Sequence, residues 1–182
     1  GKITYTLNEV KKEGAATLID TQMVMEDKKG EETYATELVM KCEEGVFKID
    51  MKNYMQAGMM PEAGDMEVEV NSKNLEFPSE LKPGMELPDG YITVNMGTGG
   101  MSMMNLRVDI LNRKVEGIET IETPAGTFEC YKISQDSEVK SIMTIKTSSI
   151  EWIAQDIGTV RSESYNKKGK LQGYSVLTAY EK

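Results

Sequence analysis

Apolar and polar residues alternate one by one along much of this 182-residue chain. In Tyr34 to Cys42, the residues Tyr34, Thr36, Leu38, Met40 and Cys42 share one face. Glu37, Val39, Lys41 and Glu43 share the other. Phe47, Ile49 and Met51 oppose Lys48 and Asp50. Met66, Val68 and Val70 interleave with Glu67, Glu69 and Asn71. Met104, Leu106, Val108 and Ile110 interleave with Asn105, Arg107 and Asp109. A period of two is the signature of a strand with one dry and one wet face. No segment carries an i, i+3, i+4, i+7 stripe. Composition agrees: 13 Ile, 12 Val and 15 Thr stand against only 10 Leu and 8 Ala. Stiff β-branched side chains suit a pleated surface.

Short polar turns separate the runs at hairpin distances. They are Asp27-Lys28-Lys29-Gly30, Glu44-Gly45, Asp89-Gly90, Pro124-Ala125-Gly126 and Lys167-Lys168-Gly169. Sequential strands joined this way make an antiparallel meander. Closing a meander hides its edges. The expected fold is therefore all-β, a meander closing into a barrel or a curved half-barrel, with a sandwich as the alternative. Residues 1–182 are expected to form one domain. Residues 51–65 have weak strand propensity and suggest a short helix near Lys52 to Ala57. Residues 72–90 hold three of the five prolines, so an extended crossing loop is expected there.

The chain has no histidine, which excludes Ser-His-Asp, Cys-His and His-ligated metal chemistry within it. Its net charge of −9 repels phosphate backbones and anionic lipid headgroups, which disfavours nucleic-acid binding and peripheral membrane binding. No stretch reaches the ~20 apolar residues of a transmembrane helix. Cys42 and Cys130 each fall in an expected strand. A pair of buried thiols and a disulfide are both compatible with that placement. The first residue is Gly rather than Met, which suits the removal of a signal segment.

The local carboxylate clusters Glu31-Glu32, Glu43-Glu44 and Glu116/Glu119/Glu122 alternate with apolar residues or sit in turns. They read as a solvated sheet face rather than a hydrolase pair. No G-x-S-x-G elbow surrounds any serine, and Gly97-Thr98-Gly99-Gly100 lacks the Lys-Ser/Thr ending of a phosphate loop. The 14 methionines are unusual. They cluster as Met51, Met55, Met59, Met60 and Met66, then as Met96, Met101, Met103 and Met104. Thioethers select Cu(I), but without histidine the better readings are adaptable core filler or a flexible apolar site. Met55, Met59, Met60, Met101, Met103 and Met104 are the candidate ligand or partner surface. No cofactor and no metal are expected.

The C-terminal half carries further motifs. Thr123-Pro124-Ala125-Gly126-Thr127-Phe128 and Cys130-Tyr131 are followed by Glu151-Trp152, Gly158-Thr159-Val160 and Lys168-Gly169-Lys170-Leu171. With the stretch FPSELKPGMELPDG at 77–90, they resemble the TapB-type family of exported bacterial proteins with a YmcC-like fold. The resemblance implies a β-barrel-like domain, export to the periplasm or cell surface, and no established activity. Residues and resemblance together point to an exported, non-catalytic domain that binds a lipid-like, apolar or amphipathic ligand. The alternatives are a structural subunit of an envelope assembly and, behind it, a carboxylate-based hydrolase.

Overall fold

The computed structural model of the chain describes residues 1–54, 67–99 and 101–181. Their strands form two antiparallel sheets. The first contains β1 (Lys2–Glu13), β2 (Ala16–Glu26), β3 (Glu32–Glu43), β4 (Val46–Ile49) and β6 (Leu75–Pro78), side by side in the order β1-β2-β3-β4-β6. The second contains β5 (Glu67–Lys73), β7 (Gly90–Thr98), β8 (Met101–Thr123), β9 (Gly126–Lys140), β10 (Thr144–Ala154), β11 (Gly158–Asn166) and β12 (Leu171–Val176). Its order is β12-β11-β10-β9-β8-β7-β5. A single 3-10 turn, Met51–Tyr54, lies where the short helix was expected, and Met55 to Ala57 fall outside the described residues. No helix among the described residues is long and apolar enough to cross a membrane.

The all-β expectation holds and barrel closure does not. Among the described residues β1 and β6 are the edges of one sheet, and β12 and β5 those of the other. The cause is the path of the chain, which changes sheet instead of continuing one meander. It passes from β4 to β5, returns for β6, and leaves again for β7. The proline-rich stretch makes these last two crossings, and its one strand, β6, is an edge that tolerates Pro78.

Four of the five expected turns join neighbouring strands. At Glu44-Gly45 both residues have positive φ, 52° and 74°, the twist a two-residue hairpin needs. Asp89-Gly90 is different, because Gly90 begins β7. A Cβ at Gly90 would sit 2.6 Å from Leu75 Cδ2 and 3.0 Å from the Lys73 carbonyl oxygen. Glycine is needed there for close approach where the two sheets meet.

That meeting point is the main core. Ile49, Leu75 and Phe77 of the first sheet pack with Ile92, Val94, Met96, Leu106, Val108 and Ile110 of the second, and Met51 completes the cluster. A second cluster packs Leu81, Met85 and Leu87 of the 79–89 crossing onto Val115 and Ile133. A third, around Cys130, Trp152, Ala154 and Val160, covers the opposite face of the second sheet. Among the described residues, no cluster includes a residue of β1, β2 or β3. Cys42 and Cys130 lie on different sheets as free thiols, and burial pushes the Cys130 thiol up.

Candidate functional site

Cross-strand partners share a face, so the register identifies what each sheet turns toward the other. From the core residues Leu75 and Ile49, pairing leads through Met40 and Ile19 to Val10 of β1. Parallel rows reach Leu7, Tyr5 and Ile3. These four sit on the core-facing side of an edge strand, yet Ile3, Tyr5, Leu7 and Val10 are 44%, 61%, 60% and 54% exposed. The wall they form is apolar and accessible.

The second sheet is different. Its core face begins apolar at Val108 and Val139, then turns polar across β9 to β11. Gln135 pairs with Ser149, and Ser149 with Ser164. Ile133 pairs with Glu151, and Glu151 with Ser162. Glu151 is the only charged member of these rows. Gln135 donates from Nε2 to its Oε1 at 3.1 Å. Burial holds the Glu151 carboxyl above the usual glutamate range, and the positive charge of Arg113 only partly opposes this. The Tyr5 hydroxyl is also pushed up, first by the enclosing protein and then by the negative charge of Glu151. Water reaches the Tyr5 ring, but the walls around it are close enough to shape its electrostatics. The apolar row on β1 and the hydroxyl- and amide-rich rows on β9–β11 lie on the core-facing sides of their sheets, and the charge of Glu151 reaches Tyr5.

Glu151 supplies a pH test. The folded chain holds this proton more tightly than the unfolded one. Its contribution to stability is therefore complete below the ordinary glutamate range and is lost as pH rises through the raised value. Glu151→Gln is neutral at every pH. It should melt at a higher temperature than the parent at pH 8, with the gap closing toward pH 4. A gap independent of pH in thermal melts would show that Glu151 is not held protonated by burial.

The sequence-predicted surface is placed only in part. Met55, Met59 and Met60 lie outside the described residues, as does the side chain of Met101. Met103 and Met104 lie on opposite faces of β8. Met103 is 72% exposed, while Met104 pairs with Met96 and packs against the main core. The carboxylate clusters behave as a solvated face. Glu119 accepts hydrogen bonds from Trp152 Nε1 at 2.7 Å and Lys132 Nζ at 2.9 Å, which hold it below the usual range. Ser134 does the same for Glu116, and Lys41 with Lys48 for Glu43. A hollow of about 380 Å3 lined by Glu86, Leu87, Asp89, Asn112, Arg113 and Lys114 adjoins the 79–89 crossing, not the polar rows of β10 and β11.

Glu151 was missed because Trp152 beside it reads as the buried residue, which assigns Glu151 to water. Both faces of β10 are in fact covered. Trp152 packs on the outside with Cys130, and Ile153, on the side of Glu151, packs toward Ile133. The signal that could have exposed it is the Ser/Thr/Gln character of the residues sharing its face.

A two-sheet molecule with this strand order has relatives. The family model described as DUF3108-like matches residues 1–177. The chain belongs to the DUF3108-like family. Among solved structures, this member of the family is similar to a protein from Bacteroides fragilis described as exported and of YmcC-like fold. The identity is 26%, the TM-score 0.75, and the match covers 99% of this chain and 87% of that one. A protein from Parabacteroides distasonis described as a lipoprotein shares the fold, with 22% identity, a TM-score of 0.76, and coverage of 98% and 86%. Curated proteins give no match. The family and the YmcC-like fold agree with the resemblance carried by the turn and core motifs.

Proposed function

We propose that this DUF3108-like chain is a non-catalytic binding module of the bacterial cell envelope, exported to the periplasm or cell surface, and that it shelters an apolar or amphipathic ligand between its sheets. The observation that carries the reading is the accessible apolar wall of Ile3, Tyr5, Leu7 and Val10 on the core-facing side of β1. A face turned toward the interior but left accessible is the kind of surface that takes a ligand. The polar rows around Gln135 and Glu151 supply donors and acceptors for the polar end of an amphipathic molecule.

The test uses a fluorescent fatty acid titrated into protein stripped of lipid. Saturable binding at one site per chain, displaced by unlabelled palmitate and weakened about tenfold or more by Leu7→Asp, is expected. Leu7 is exposed, so this substitution leaves the core intact. Absence of saturable binding, or binding indifferent to Leu7→Asp, would remove the ligand reading. A protein partner retained on purification from the envelope would instead favour a structural subunit.

A further inference from the structure

β9 and β10 are joined by three residues, Ser141, Ile142 and Met143. Tight turns favour Gly, Asn, Asp and Ser, each for a conformational reason. Here two of the three positions hold large apolar side chains. Ile142 is completely exposed and Met143 is 73% exposed, with Ile145 beyond them at 57%. None of the three belongs to a core cluster among the described residues, so folding gains little from them.

The neighbouring hairpin is basic. Thr147 of β10 pairs with Asn166 of β11, which sets the Lys167-Lys168-Gly169-Lys170 turn at the same end of the sheet. Lys167, Lys168 and Lys170 are exposed and make no ion pair among the described residues. Lys140 and Lys146 flank the apolar tip. The acids near them are already engaged: Glu138 by Lys140 at 3.3 Å and Lys146 at 2.6 Å, Asp109 by Lys140 at 2.9 Å and Arg107 at 2.7 Å. No acidic residue occurs between Lys140 and Thr147, or between Asn166 and Leu171. A chain of net charge −9 thus sets Lys167, Lys168 and Lys170, which form no ion pair among the described residues, together with the ion-paired Lys140 and Lys146, near an exposed isoleucine and methionine.

We propose that this end of the second sheet is a membrane-contact point, with Ile142 and Met143 entering the headgroup–acyl boundary and the surrounding lysines meeting anionic lipid headgroups. Apolar side chains set among cations are what an interfacial anchor requires, because each lysine can bury its stem and leave its ammonium at the phosphates. A protein partner fits less well. A stable interface buries about 800 Å2 on each side, and a three-residue convex tip offers far less. The overall negative charge does not oppose this contact, since charges on the far side of the molecule lie beyond the ~8 Å screening length at physiological salt. The inference stands apart from the ligand proposed above and needs none.

The experiment is flotation of the whole chain with vesicles of phosphatidylglycerol mixed with phosphatidylcholine, and with phosphatidylcholine alone. The chain should float with the mixed vesicles, float far less with phosphatidylcholine alone, and be released by salt. The double substitution Ile142→Asp and Met143→Asp should cut the bound fraction about tenfold or more. Its melting temperature should stay unchanged, since both side chains are exposed. Lys167→Glu with Lys168→Glu should weaken binding to the mixed vesicles alone. No flotation, or flotation that survives the tip substitution, overturns the proposal. So does a sedimentation profile in which the tip substitution dissolves a dimer, because the tip would then belong to a second copy of the chain.

Discussion

Arg113→Met should lower the unfolding free energy by about 3 kcal/mol in urea titrations. Arg113 is among the largest fully buried side chains of the described residues. Its Nη1 donates to the Glu76 carbonyl at 3.2 Å and to the Pro88 carbonyl at 2.7 Å. Its guanidinium lies 4.5 Å from the centre of the Phe77 ring. One side chain on β8 therefore holds both ends of the 79–89 crossing. Main-chain bonds run beside it, from Leu87 N to the Arg113 carbonyl at 2.8 Å and from Val115 N to the Met85 carbonyl at 2.9 Å. Methionine keeps most of the apolar stem but leaves two carbonyls without a charged donor. Each such loss costs about 1–3 kcal/mol, and the ring contact adds about 1 kcal/mol. Arg113→Lys should recover only part of this, because an ammonium cannot reproduce the planar fork. A loss below about 1 kcal/mol for Arg113→Met would mean that water replaces the guanidinium freely.

Arg113 also shows where the sequence stops being legible. Asn112-Arg113-Lys114 reads as three wet residues, and nothing in their chemistry says otherwise. The register of β8 against β9 slips between Leu111 and Lys114 and again between Val115 and Gly117. Each slip changes which parity faces inward. Asn112, at φ 54°, marks the first. Period-two reasoning assumes an unbroken ladder, so it works for Leu106 to Ile110 and fails for the next residues. Strand identity and most turns were readable because they depend on neighbours a few positions apart. Barrel closure was not readable, because it depends on which sheet a strand joins after a crossing. Leu75–Pro78 could have paired on either side by local propensity. Of the candidate site, the apolar row on β1 follows the same alternation as any core strand. Only exposure distinguishes Ile3, Tyr5 and Leu7 from the buried Ile92 and Val94. Exposure is a tertiary property.

Leu75→Ala tests the junction between the two sheets. Leu75 is completely buried at the start of β6, pairs with Ile49, and belongs to the cluster that holds residues of both sheets. Truncating a fully buried leucine costs about 3 kcal/mol, within a usual range of 2–5 kcal/mol. The value should fall in the upper half here, because Lys73, Asn74 and Gly90 crowd the site with main chain that cannot collapse into the void. Gly90→Ala should also destabilise, since its new methyl would lie 2.6 Å from Leu75 Cδ2 and 3.0 Å from the Lys73 carbonyl oxygen. The two changes relieve each other. Once Leu75 is cut back, the methyl on residue 90 occupies the vacated space and only the tighter approach to the Lys73 carbonyl persists. The double variant should therefore lose less stability than the two single losses combined, by about 1 kcal/mol or more in a double-mutant cycle. Strict additivity would show that Gly90 is required by the main chain alone and that Leu75 does not set the spacing between the sheets.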